Sequence, residues 1–181
     1  MEIAIIKSKL RPPKPKGKQQ LPARIRQRFE QVPQFPLTLL QAPPGYGKST
    51  SLALVSVMWK GKVIWYKFTA YDRDPWVFLT HLGHSLGATL SHFQKDEWQE
   101  EGGAEEPFGT LERAWYQLIQ QIEEQEQPCY LILDNFHWCE EMEGVRHLIA
   151  RLLQHQPANL HLILSTRRSP PLVELNRLRM Q

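Results

Sequence analysis

QAPPGYGKST, residues 41–50, sets two prolines, two glycines and a lysine between apolar segments. Such a stretch is either a tight turn or a loop that cradles phosphate. The phosphate-loop pattern is G-x-x-x-x-G-K-[ST]. Gly47, Lys48 and Ser49 fit it and Thr50 follows, but Ala42 replaces the first glycine. That replacement costs little if the position needs no positive φ. The flanks argue for the loop. LTLLQA (37–42) is a short apolar run, and KSTSLALVSVMWK (48–60) has helical spacing through Leu52, Val55 and Trp59. Strand, glycine loop and helix are the context the motif requires. There Gly45 and Gly47 let backbone N–H groups around Tyr46 turn toward an anion, Lys48 reaches the outer phosphates, and the Ser49 hydroxyl can ligate magnesium.

Working outward, LPARIRQRFEQV (21–32) can form a short helix with Ile25 and Phe29 on one face, ended by Pro33 and Pro36. KVIWYKF (62–68) is β-branched and aromatic, hence a second strand. Pro75 suits the first turn of a helix to about Leu90, with Trp76, Leu79, Leu82 and Leu86 inward. Another helix follows Pro107, burying Phe108, Leu111, Trp115, Leu118 and Ile122. CYLILDN (129–135) is a continuous apolar run, the mark of a central parallel strand. A helix over 140–154 and a fourth strand, LHLILST (160–166), complete the alternation. That order implies crossover units around a parallel sheet, an α/β fold of three layers.

Ligands of such sheets bind beyond the carboxyl ends of the strands. Asp134 ends a buried strand 86 residues after Lys48, where a phosphate-loop NTPase keeps its metal-side acid; an aspartate at a strand terminus is also common without any ligand. Arg167 follows the last strand and fits either a γ-phosphate sensor or a surface arginine beside Arg168. His81 and His84 fall one turn apart, but no third metal ligand accompanies them, and packed or solvated histidines account for the pair.

The 181 residues suffice for one domain, and 41% hydrophobic with 23% charged residues indicates a globular chain. No apolar run approaches the roughly 18 residues of a membrane span, and the N-terminus lacks a secretory signal, which points to the cytoplasm. Cys129 and Cys139 read as lone thiols among core residues. KSKLRPPKPKGK (7–18) holds six cations and no acid, and DEWQEEGGAEE (96–106) six acids and no cation. The first reads as a solvated, proline-stiffened leader within residues 1–20, with a phosphate-backbone arm as its alternative; the second reads as an exposed loop. Residues 21–181 form the domain proper.

KLRPPKPK (9–16), APPGYGKST (42–50), VIWYKF with DRDPWVFLTHL (63–82), YLILDNFHW (130–138) and LHLILSTRRSPPLVELNRLR (160–179) carry a family resemblance over nearly the whole chain. The chain resembles the N-terminal nucleotide-binding domain of the large ATP-binding regulators of the LuxR family, of the maltotriose-responsive activator type. These are signal-transduction ATPases with numerous domains. The resemblance implies a P-loop NTPase fold and an ATP/ADP-controlled switch, in which ADP holds a resting monomer and inducer plus ATP drives self-association. By it, the loop from Gly45 to Thr50 holds phosphates, Ser49 and Asp134 hold Mg2+, Arg167 takes the sensor-arginine position, and Arg24 lies near the adenine. Relatives carry a second acid after the strand aspartate where this chain has Asn135, so turnover is expected to be weak. They also continue into a fifth strand, a winged-helix region and a DNA-binding helix-turn-helix. Contact with DNA is therefore expected only through parts beyond these residues. The rivals are an active ATPase that drives another process and an interaction module without a working nucleotide site.

Overall fold

Six consecutive buried residues, Cys129–Asp134, form the second strand from one edge of the sheet. In the computed structural model, which describes residues 3–15, 20–90 and 107–169, β1 is Leu37–Gln41, β2 Lys62–Lys67, β3 Cys129–Asp134 and β4 Leu160–Thr166. All neighbours are parallel and the order is β1-β4-β3-β2. Two registers, Leu39 opposite Leu164 and Leu131 opposite Leu162, align the carboxyl ends of β1, β4 and β3.

Alternation along the strands divides the core. Ile64, Tyr66, Leu131, Leu133, Leu162 and Leu164 face α3 (Pro75–Thr89), α4 (Pro107–Glu123) and α5 (Glu143–Gln154). Trp65, Tyr130, Ile132 and Ile163 face α1 (Ala23–Glu30) and α2 (Lys48–Ser56). Each fully buried aliphatic side chain contributes about 1.5–3 kcal/mol relative to exposure. Helices on both faces of a parallel sheet make the three-layer α/β architecture expected of a P-loop NTPase. Local signals set the ends. Asp74 accepts from Trp76 N at 2.8 Å and Pro75 takes the first position of α3, a cap worth ~1 kcal/mol.

Four expectations need correction. Ile25 is exposed, and α1 buries Phe29 alone. The helix expected over 48–60 stops at Ser56; Trp59 lies beyond it, donating Nε1–H to Phe29 O at 3.2 Å and stacking on Tyr130 at 4.8 Å. The segment expected as one helix over 140–154 is instead a 3-10 turn, Phe136–Glu141, followed by α5. Met142, at φ −109° and ψ 78°, makes that division, while Asn135, at φ 58°, turns the chain sharply out of β3 into the 3-10 turn.

The leader, finally, is not solvated throughout. Lys9 is buried and paired with the fully buried Asp72, whose carboxylate also accepts from Tyr66 OH (3.0 Å), Thr69 N (2.6 Å) and Thr69 Oγ1 (2.9 Å). Ile6 N donates to His81 Nε2 at 3.1 Å, and Leu10 packs on the core. These contacts dock the start of the chain on β2 and α3, while residues 11–15 are exposed. Both cysteines are free and buried. Among the described residues no helix is long and apolar enough to cross a membrane. The acidic stretch 96–106 and residues 170–181 lie outside the described residues, as does the Phe108 side chain.

Candidate functional site

β1 runs into a loop whose two glycines have left-handed backbone, Gly45 at φ 82° and Gly47 at φ 72°. A Cβ at either would meet nothing within 4 Å, so backbone conformation and not crowding selects glycine there. Asn135 is the one non-glycine with positive φ among the described residues, so Ala42 needs none and the missing first glycine costs the loop no strain. Ser51 N donates to Gly47 O at 2.7 Å as α2 begins. The N–H groups of Lys48, Ser49 and Thr50 therefore lack partners within the helix, and the positive end of α2 faces the loop.

Lys48 Nζ reaches back to Ala42 O at 2.5 Å and Pro43 O at 3.0 Å. Its pKa is lowered by burial and by the nearby Arg167 charge, with Asp134 opposing. Those couplings set Lys48, Arg167 and Asp134 within electrostatic reach of one another. The strand order explains it. Because β4 lies between β1 and β3, residues leaving β4 emerge between the loop and Asp134.

Asp134 continues the Tyr130–Ile132 side of β3, the face on which α2 packs. Ser49 Oγ donates to Asp134 Oδ1 at 2.9 Å, and Asn135 N donates to the same oxygen at 3.0 Å. The carboxyl is fully buried, and Oδ2 has no hydrogen-bond partner. An unsatisfied buried acceptor costs ≈ 1–3 kcal/mol. A hydroxyl and a carboxylate with an orphaned oxygen are the hard donors that magnesium selects, and they fit that ion. Among the described residues no three His, Cys, Asp or Glu side chains form a metal cage of their own. A magnesium ion here would complete its shell with phosphate oxygens and water.

Two more side chains at this end have buried, unpartnered atoms: Ser165 Oγ, and both ring nitrogens of His137. Burial first, then the charges of Arg167, Lys48 and Arg168, push the His137 pKa down to about 4, with Asp134 opposing. Sequence reasoning stopped at Asp134 and Asn135 and missed this histidine, whose signal was its place three residues past the acid. Tyr46 is exposed at the loop tip. Arg24 is exposed in the first turn of α1, and among the described residues it has no hydrogen bond or ion pair to the loop. A cavity of about 330 Å3 lined by Phe29, Val55, Trp59 and Tyr130 sits at the far end of α2, away from the loop.

Residues 14–165 match the family model described as AAA ATPase domain. The chain is also similar to curated proteins called HTH-type transcriptional regulator MalT. Identity is 31% over 142 residues with the protein of Yersinia enterocolitica, 32% over 139 with that of Serratia proteamaculans and 26% over 145 with that of Vibrio cholerae. These matches cover 78%, 76% and 78% of this chain, which spans only 15% of the length of each relative.

Proposed function

This chain belongs to the AAA ATPase domain family, and we propose that it is the ATP/ADP-binding switch domain of a signal-responsive transcriptional regulator. The Ser49–Asp134 hydrogen bond, spanning 85 residues of sequence, carries this reading. It joins the start of the phosphate-loop helix to the carboxyl end of β3 and leaves one carboxyl oxygen for a further partner.

In this reading the N–H groups at the start of α2 bind the inner phosphates, and Lys48 exchanges its two loop carbonyls for outer phosphate oxygens. Ser49 and Asp134 hold Mg2+, which neutralises phosphate charge when bound. Arg167 faces the outermost phosphate from the end of β4. Gly45, Tyr46, Gly47 and Thr50 shape the loop, and Arg24 is assigned to the adenine side. Asn135 orients water without taking its proton, since an amide has no basic site at neutral pH. Hydrolysis is then slow, and occupancy sets the lifetime of the switch. The regulatory role rests on the likeness to the HTH-type regulators; self-association, DNA contact through other parts of a longer protein, and a cytoplasmic setting follow from the same likeness. Titration of the chain with ATP and ADP, with and without magnesium, tests the site. Saturable binding tightened by magnesium is expected, and no binding of either nucleotide would end the proposal.

A further inference from the structure

The cavity of about 330 Å3 at the far end of α2 lies toward the amino ends of the strands, where Tyr130 begins β3 and Pro33 precedes β1. Its wall is aromatic and fixed in place. Trp59 is held from two sides, by its Nε1–H bond to Phe29 O at 3.2 Å and by stacking on Tyr130 at 4.8 Å. Tyr130 in turn stacks on His161 at 5.0 Å. Phe29, Val55 and the exposed Met58 complete an apolar lining. A preformed apolar cavity of this volume falls in the range of small-ligand pockets, about 300–1,000 Å3.

Polar groups converge at one end of it. Tyr130 is 2% exposed, yet its hydroxyl bonds to none of the described residues, and a buried hydroxyl ordinarily has a partner. Burial raises the Tyr130 pKa, which keeps the group a neutral donor. An added Cβ on Gly61 would lie 2.9 Å from Tyr130 Cε2, so the hydroxyl end of the ring stands beside the backbone that follows Lys60. Lys60 is exposed on the rim with no ion pair among the described residues, whereas Arg26 is answered by Glu30 at 3.3 Å. The cavity thus offers flat apolar walls, one idle hydroxyl donor and one unanswered cation. A single negative charge matches that cation, while a doubly charged group would leave charge unpaired beside apolar walls. We propose that this cavity is a second ligand site, separate from the phosphate loop, that binds a small planar aromatic carboxylate. The ring lies against Trp59 and Phe29, and the carboxylate accepts from the Tyr130 hydroxyl and Lys60.

The probe is naphthoate, titrated calorimetrically into the chain without nucleotide, with the neutral naphthamide as its counterpart. The expected result is saturable naphthoate binding with a Kd below about 1 mM, and naphthamide weaker by about fivefold or more. Three variants, each checked for folding by circular dichroism, locate the ligand. Met58→Trp changes an exposed residue of the lining, fills the cavity and should abolish binding. Lys60→Glu reverses the rim charge and should weaken naphthoate about tenfold, and Tyr130→Phe, which deletes the hydroxyl, about threefold. No saturable binding up to about 5 mM naphthoate, or undiminished binding in a folded Met58→Trp, would overturn the site. Equal affinity for naphthoate and naphthamide, or no loss in Lys60→Glu, would point to an uncharged apolar occupant, such as a side chain of another protein, and overturn the carboxylate. Unaltered affinity in Tyr130→Phe would overturn the hydroxyl contact.

Discussion

Lys48 spends its charge on two backbone carbonyls of its own loop, weak partners that a phosphate readily outcompetes. Lys48→Ala should therefore weaken ATP binding by ten- to a hundredfold, roughly 1.5–3 kcal/mol, in a fluorescent-nucleotide titration; unchanged affinity would remove the phosphate-loop assignment. Asn135 has a backbone reason to be where it is, because asparagine and aspartate tolerate the left-handed region better than other side chains. That same tolerance makes Asn135→Asp a clean substitution. It should raise the single-turnover hydrolysis rate, by up to the 10²–10⁴-fold that general-base help typically gives, and leave ATP affinity nearly unchanged. A parent already turning over about once per second, far above the slow intrinsic hydrolysis of P-loop switch proteins, would assign the water to another residue. The histidines predict a pH dependence. His137 sits at about 4 and His81 is also lowered, chiefly by burial, from an ordinary 6.5. The unfolded chain takes up protons that the folded chain refuses, so this stability is complete above about pH 6.5 and drains as pH falls toward 4. The melting temperature should drop more steeply over that window in the parent than in His137→Phe, which retains only the His81 part. Parallel curves would show that the fold does not hold His137 neutral.

At the scale of elements, the turn between α2 and β2 depends on close approach. An ideal Cβ on Gly61 would lie 2.2 Å from Pro128 O, beside the Lys62 N to Pro128 O bond of 2.8 Å that starts the β2–β3 ladder. Gly61→Ala must push two strand ends apart, a shift of the kind that costs about 1–3 kcal/mol; urea denaturation would register it, and an unaltered midpoint would show that the strand ends move freely. The sequence carried no sign of this contact, since Pro128 is far along the chain. The docked leader is similar. Lys9 read as one cation of a solvated run, yet it closes a buried ion pair with Asp72. Removing one partner of such a pair typically costs 3–5 kcal/mol. Lys9→Ala should therefore lower stability, and the backbone N–H of Ile6, now bonded to His81, should exchange with deuterium faster. Protection equal to the parent would mean that the leader is held by other contacts.

Across the whole molecule, β1 and β2 are the two sheet edges among the described residues. Pro36 O accepts from Leu162 N at 2.8 Å, and Ala42 N donates to Thr166 O at 3.3 Å. In a parallel ladder that phase directs the N–H and C=O groups of Leu37, Leu39 and Gln41 away from β4. An outward row of this kind is a template for another chain. The isolated 181-residue chain should associate with rising concentration in sedimentation velocity, and Gln41→Pro, which deletes one outward N–H, should reduce that association. A parent that stayed monomeric at high concentration would show the edge to be covered.

The phosphate loop, the strands and the amphipathic faces of α3 to α5 were legible in the chain because they follow from local rules: side-chain period, positive-φ glycines, and prolines at helix starts. The length of α2 was less so, since helical spacing continues through Trp59 while the chain itself turns at Ser56 to reach β2. Strand order was beyond local pattern altogether. Every buried parallel strand here has a similar apolar run, and only the packing of crossovers decides which becomes whose neighbour. Placing β4 between β1 and β3 is what carries Arg167 between Lys48 and Asp134, bonds Ser49 to an acid 85 residues away, and brings His137 within electrostatic reach of Lys48 and Arg167. The phosphate loop was thus written in ten consecutive residues, whereas the surroundings that give it a second and third side exist only once the sheet has assembled.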